Sequence, residues 1–390
     1  MASEKTDVLL IGLGAVGAVY AFVMQNGGRA RVTAIARSNC EAVKAHGLNI
    51  KSDKFGNFDA FKPDRVCASV AEAADQPYSH VIVTTKAVPE LIQTSDLVAP
   101  LLTPEYIDRF PIPTFVLMQN GLNVEANLYE TLKKLRPVEE PKIIGTALWT
   151  MANMRDGNVV EHNQSDRAVL GVYRTMANYT DNTPEEAALL STFADILIAG
   201  GAHVEIEPEI QRVKYNKNVY NVCFGVIPAI TRFPTTAIFY SSHSPEKKQT
   251  PTANTDDSLA AASASKTAGL CSASPVIAAN TLPWLYDCIT EIHALGTTLF
   301  PERDAGPAIN PNLAADVLAF TSDMYGGGHY AHRPSTLVDV EVGRPTEVEV
   351  ILGELVRMAR REGVAVPRLE SVYALMLIIQ NQLLCQNREK

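Results

Sequence analysis

The sequence predicts an α/β N-terminal domain followed by an all-α C-terminal domain, on three observations. The chain opens with an apolar strand, a glycine-rich turn and an apolar helix in succession. Short buried strands then alternate with helical stretches to about residue 205. From residue 206 onward the pattern is helical. The expected domains are therefore 1–205 and 206–390. Inside the second, residues 241–275 are rich in Ser, Thr, Ala and Pro and almost without large apolar side chains. Such a composition buries too little surface to order itself, so a flexible inserted loop is expected there.

Composition bounds the partners. At 390 residues, two domains are the natural expectation. Hydrophobic residues make up 46% and charged residues 20%, enough apolar material for a core. A formal charge of −9 and a pI near 5.5 argue against nucleic acid or an anionic membrane as partner. Cys40, Cys67, Cys223, Cys271, Cys288 and Cys385 are scattered with no C-x-x-C pair. That spacing fits free thiols in a reducing compartment, so a cytoplasmic location is expected.

The first element is carried by "DVLLIGLGAVGAVYAFVMQNGGRARVTAIAR", residues 7–37. Its uncharged stretch from Val8 to Met24 also resembles a signal-peptide core or a short membrane span. Asp7 and Glu4 stand where a positive flank belongs, however, and three glycines interrupt the run. Gly12-Leu13-Gly14-Ala15-Val16-Gly17 has the G-x-G-x-x-G spacing directly after the strand Val8–Ile11. In a Rossmann-type dinucleotide site the first glycine makes the tight turn. The second admits a pyrophosphate to the backbone, and the third lets helix pack on strand. A second strand at Arg31–Ala36 follows at βαβ spacing and ends at Arg37. An acidic residue about 20 positions after the glycines would hold the ribose hydroxyl of NAD. Arginine and Ser38 stand there instead and suit the 2′-phosphate of NADP; a merely solvated arginine at a strand end is the alternative.

Later elements add polar candidates. "HVIVTTKA" reads as a fourth strand with Lys86 at its carboxyl end, and "TFVLMQNGLN" as the next, closing on Asn120. Ligands of open α/β sheets bind beyond the carboxyl ends of strands, so both residues face the expected site; each also suits an ordinary turn. Asp156-Gly157 between two strands signals a hairpin. In the helical run "EIQRVKYNKNVYNVCFGVIPAIT", Lys217 and Asn221 are four apart and share a face. Lys214 and Asn218 repeat the spacing on another face. Near the end, Thr346 and Glu349 suggest a capping box, with Gly363 and Pro367 as helix stop. Glu347 would then sit in the first turn, where serving the helix dipole could be its whole role. His329 and His332, three apart in a Gly-rich loop, have weak spacing for a metal. No metal site is expected.

In this order the motifs resemble the ketopantoate reductase (2-dehydropantoate 2-reductase) family over nearly the whole chain. They are the glycine turn Gly12–Gly17, Arg37, Lys86, Asn120, Lys217 with Asn221, and Ser335 with Glu347 twelve positions on. Lys217 is preferred to Lys214 because "PAIT", residues 228–231, then meets the family's downstream segment without a gap. The resemblance implies a Rossmann domain binding NADPH and a helical domain of the 6-phosphogluconate dehydrogenase C-terminal type, with the site in the cleft between them. It also implies that Gly12, Leu13, Gly14, Ala15, Val16, Gly17, Arg37, Lys86 and Asn120 bind cofactor. Lys217 would donate the proton, and Glu347 would orient it or bind a substrate hydroxyl. Asn221, Ser335 and Asn120 would bind substrate.

The implied reaction is NADPH-dependent reduction of a 2-keto acid, foremost ketopantoate to pantoate in pantothenate biosynthesis. Two departures stand out. Gly225 occupies the place of a second family asparagine, and the 241–275 segment is foreign to the compact pattern. Reduction of another 2-keto acid or biosynthetic carbonyl compound is accordingly the alternative. A non-catalytic NADP-binding regulatory module is a reading of another class, but it has no need for Lys217, Ser335 and Glu347 together. The expected partner is a small molecule, not nucleic acid or membrane, and a homodimer is left open.

Overall fold

A computed structural model describes residues 5–155, 157–175, 181–240, 263, 265–302, 308–327 and 333–388. Contacts divide the chain into two compact units, Met1–Lys214 and Tyr215–Lys390. The division lies beyond the expected boundary at 205/206, for two reasons. The strand at Val204–Ile206 pairs into the sheet of the first unit. The helix after it, Ile210–Asn221, has its first turn seated on that sheet.

The first unit is built on a ten-stranded sheet. Its strands are β1 (Thr6–Ile11), β2 (Ala30–Ile35), β3 (Leu48–Ser52), β4 (Gly56–Phe61) and β5 (Arg65–Cys67). They continue with β6 (His80–Val83), β7 (Thr114–Leu117), β8 (Ile143–Arg155), β9 (Val159–Val172) and β10 (Val204–Ile206). The order is β4-β3-β9-β8-β7-β6-β1-β2-β5, with β10 on β9. From β5 to β8 every pairing is parallel. The "HVIV" strand, expected as the fourth, is the sixth. An antiparallel β3–β4 pair and the short β5 precede it.

The run Val8–Met24 is neither leader nor span but β1, the glycine turn and the helix Ala15–Asn26. Gly17 through Met24 are all buried, which explains why this helix lacks a polar face. Among the described residues no helix is long and apolar enough to cross a membrane. The expected hairpin joins β8 and β9, with Arg155 opposite Val159 and Gly157 in the left-handed region at φ +78°. Asp156 lies outside the described residues.

The second unit is helical among its described residues. The helix Leu282–Leu299 buries Leu285, Ile289, Ile292 and Leu295, and packs against Leu313–Gly326 and Pro367–Arg388. Glu291 on it accepts from the main-chain N–H groups of Arg368 and Leu369, capping the last helix from a neighbouring one. Among the described residues, single π turns interrupt the helices at Val222–Val226, Ile277–Thr281 and Glu349–Gly353. Gly363 ends its helix at φ +67°, and Pro367 begins the next, as expected.

The segment 241–275, expected as a flexible loop, is described only toward its carboxyl end. Residues 241–262 and 264 lie outside the described residues, while Ser263, Cys271 and Ala273 hydrogen-bond to neighbouring helices. Ser263 Oγ donates to Asp287 Oδ1 at 2.5 Å, Cys271 N to Ser322 Oγ at 2.9 Å and Ala273 N to Ile238 O at 2.9 Å. Ser263 and Thr267 are buried. Small polar side chains order here because hydrogen bonds, not apolar area, hold them. Deleting residues 241–275 behind a Gly/Ser bridge should therefore lower the melting temperature by several degrees. Thermal unfolding followed by circular dichroism checks this.

Candidate active site

In the first unit the candidates gather at the carboxyl edge of the parallel strands. Ile11, Val83 and Leu117 are in register across β1, β6 and β7. Lys86 and Asn120 each lie three residues beyond that line, as does Gly14. Arg37 is two residues past the end of β2 and exposed, and Ser38 beside it is exposed too. Lys86 is exposed and Asn120 half-buried.

The three glycines of the turn differ in what surrounds them. Gly12 has φ +107°, and a Cβ there would lie 2.7 Å from Thr85 Cγ2. At Gly17 a Cβ would fall 2.0 Å from Gly12 O. Gly14 meets nothing within 4 Å, so open space fronts the backbone where a phosphate would approach. The helix behind it starts at Ala15 with no side-chain cap and no acidic residue in its first turn. Its leading N–H groups and positive dipole end therefore suit an anion. Leu13 is buried and half-buried Ala15 and Val16 open the helix, so these three shape the turn by main chain and packing. Thr84 Oγ1 donates to Gly12 O at 2.6 Å, and Asn39 Nδ2 to Leu13 O at 3.1 Å. Gln119 Nε2 donates to Thr85 O at 2.8 Å, bracing the residue that Gly12 touches. These residues fit a dinucleotide.

A charged pair that sequence reasoning missed lies beneath this edge. Glu125, five residues past Asn120, is fully buried and forms an ion pair with buried Lys214. The sheet makes room for it. Gly145 and Gly171 face each other across β8 and β9. A Cβ on Gly145 would lie 2.8 Å from Glu125 Oε1, and one on Gly171 would lie 2.6 Å from Ile210 Cβ. Ile210 opens the helix that carries Lys214 and Lys217. Lys214 thus anchors the start of this helix to the sheet. The signal for it was Glu125 following the Asn120 turn, but their pairing spans 89 residues and no local pattern reveals it.

In the second unit, Lys217 is half-buried on this helix and Asn221 is its last residue. The π turn Val222–Val226 follows at once. Thr235 Oγ1, fully buried, donates to Phe224 O within it at 3.3 Å. Gly225 faces the helix Ser335–Glu341, and a Cβ there would lie 3.5 Å from Thr336 Oγ1. Ser335, the exposed first residue of that helix, is thereby brought near the Lys217–Gly225 stretch.

Glu347 is buried, but its setting differs from the expected capping box. Thr346 is not an N-cap, because its N–H and Oγ1 both donate to Gln380 Oε1 at 2.9 Å. Glu349 gives its carboxylate to Arg357 at 2.7 Å and Tyr373 at 2.7 Å. Glu347 therefore precedes the helix instead of lying in its first turn, and its carbonyl accepts from Val350 N and Ile351 N. Asn218, next to Lys217, donates from Nδ2 to Ile351 O at 2.7 Å.

Cys223 lies fully buried in the π turn after Asn221, and burial pushes its thiol up to about 12. Among the described residues no three His, Cys, Asp or Glu side chains are placed to hold a metal. His329 and His332 lie outside the described residues.

Residues 8–175 match the family model described as "Ketopantoate reductase PanE/ApbA", and residues 209–380 match its C-terminal counterpart. An uncharacterized protein of Saccharomyces cerevisiae, YDL144C, is 23% identical over 96% of this chain and 94% of its own length. The crystal structure of 2-dehydropantoate 2-reductase from Methylococcus capsulatus superposes with TM-score 0.67 at 23% identity, covering 97% of each chain. A D-mandelate dehydrogenase solved with NADH and anilino(oxo)acetate gives TM-score 0.66 at 16% identity, over 97% of this chain and 99% of that one.

Removing one partner of the Glu125–Lys214 pair leaves a buried charge uncompensated. Lys214→Ala and Glu125→Ala should each lose about 3–5 kcal/mol of stability. The double change Glu125→Leu/Lys214→Met should recover most of it. Denaturant unfolding of the three variants measures this.

Proposed function

Since the chain belongs to the ketopantoate reductase family of oxidoreductases acting on CH–OH groups, we propose that it reduces a 2-keto acid with NADPH. Ketopantoate, giving pantoate for pantothenate biosynthesis, is the substrate put forward first. One observation carries the catalytic assignment: Lys217 lies half-buried on the Ile210–Asn221 helix with Asn221 four residues on, the pair that the family motif has in this place.

A bound nicotinamide dinucleotide supplies the hydride that forms the new C–H bond at C2. Lys217, as an ammonium, stabilises the negative charge developing on the carbonyl oxygen and donates its proton there. The C=O π bond is thereby replaced by C–H and O–H, and the hydroxy acid and neutral lysine remain. Glu347 keeps the ammonium oriented or accepts from a substrate hydroxyl. Asn221 and Ser335 hold polar substrate groups. Asn120 and Lys86, at the carboxyl edge of the sheet, hold cofactor, with Asn120 also reaching substrate. Arg37 beside Ser38 pairs with the 2′-phosphate, as its charge and exposure at the end of β2 suit.

Gly225 favours a second reading, a different 2-keto acid. It removes a side chain beside Thr336 where the family has asparagine, and so alters the surroundings of Ser335. The likeness to a D-mandelate dehydrogenase fits an enzyme of this build acting on an aromatic 2-keto acid. The reaction is placed in the cytoplasm, in keeping with six free cysteines, and a homodimer is the proposed assembly.

NADPH oxidation against ketopantoate, 2-ketoisovalerate, pyruvate and benzoylformate separates the two substrate readings. Lys217→Ala should cut turnover by roughly two to four orders of magnitude while leaving NADPH affinity nearly unchanged. Full turnover in that variant would remove the proton-donor role.

Arg37→Asp should raise KM for NADPH and narrow its preference over NADH. Equal use of both cofactors by the unaltered enzyme would overturn the NADP assignment.

A further inference from the structure

Two buried amides bracket Glu347. On its amino side, Gln380 is 1% exposed and makes three hydrogen bonds with Thr346. It accepts from Thr346 N and Oγ1, and its Nε2 donates to Thr346 O at 3.1 Å. On the carboxyl side, Asn218 is 2% exposed and donates to Ile351 O. Ile351 N in turn donates to Glu347 O at 3.0 Å. A chain of two hydrogen bonds therefore runs from the residue covalently next to Lys217 to the backbone of Glu347.

The Asn218 amide is a poor choice if stability were its purpose. Its Oδ1 is buried with no hydrogen-bond partner among the described residues, a cost that an apolar side chain of similar volume avoids. What the amide supplies is direction. Ile351 lies in the π turn Glu349–Gly353, where main-chain pairing departs from the regular helix and a side chain can enter the ladder. A single donor at that carbonyl ties the turn to one register on the Lys217 helix.

We infer that Asn218 and Gln380 are positioning residues that hold Glu347 in register with Lys217. The inference rests on the proposed roles of Lys217 and Glu347. Each amide acts through the backbone beside Glu347, where a shift of about 1 Å at a reacting group can cost on the order of a hundredfold in rate.

The test uses the full-length enzyme with NADPH and ketopantoate, or benzoylformate if that is the faster substrate. Asn218→Leu removes the donor at similar volume. Its kcat is expected to fall about ten- to a hundredfold, with the NADPH dissociation constant unchanged. The pH profile of kcat should also shift along the limb that reports the proton donor, which a merely structural role would not move. Gln380→Met cuts the other arm and should show the same split, so the idea stays open to test if Asn218→Leu does not fold. A folded Asn218→Leu or Gln380→Met enzyme with the wild-type kcat and pH profile overturns it. Lys217→Ala run in parallel separates the failures. If that variant is fully active, the catalytic reading falls and this inference with it. If it is dead while Asn218→Leu is normal, only the positioning role falls.

Discussion

The buried ion pair between Glu125 and Lys214 is the constraint on which the rest depends. Two glycines facing each other across β8 and β9 open a dent in the sheet. Ile210 and the Glu125 carboxylate fill it. The pair seats the first turn of the Ile210–Asn221 helix on the parallel sheet, and Lys217 lies one turn further along the same helix. A charge pair at this depth adds little net stability beside an apolar substitute, but it is intolerant of misalignment. That trade suits a helix root whose register must be fixed.

The two units reach their polar sites by different means. In the first, topology does the placing. In-register parallel strands end together, so Gly14, Lys86 and Asn120 fall on one edge without any contact being needed to put them there. In the second unit, helices have no common edge, and individual side chains hold the parts. Thr235 grips the π turn after Asn221, Asn218 grips the one after Glu347, and Gln380 secures Thr346. The residues proposed for catalysis thus sit beside irregular helix stabilised by buried polar groups. Such a scaffold can hold a side chain more tightly than a loop would.

Composition is silent on one kind of contact, for an instructive reason. The 241–275 segment is almost without large apolar side chains, yet Ser263, Cys271 and Ala273 are tied to Asp287, Ser322 and Ile238 by hydrogen bonds. Hydropathy measures only what a segment can bury by itself. It is blind to acceptors and donors that neighbouring helices present. The capping box failed similarly, since Gln380 and Arg357 compete for the Thr346 and Glu349 side chains from outside the local stretch.

What the sequence determined by itself was local. The glycine turn is legible because its requirements, a positive φ at Gly12 and the approach of Gly17 to Gly12 O, are met within six residues. Strand periodicity likewise revealed which residues would crowd the carboxyl edge, and the motif order pointed to the family. Tertiary structure alone decided the partner of Lys214, the fate of the Thr346 hydroxyl and the tie from Asn218 to Ile351. These pairings join residues 34 to 133 positions apart. They depend on which buried polar groups meet once the core has formed, and periodicity carries no record of that.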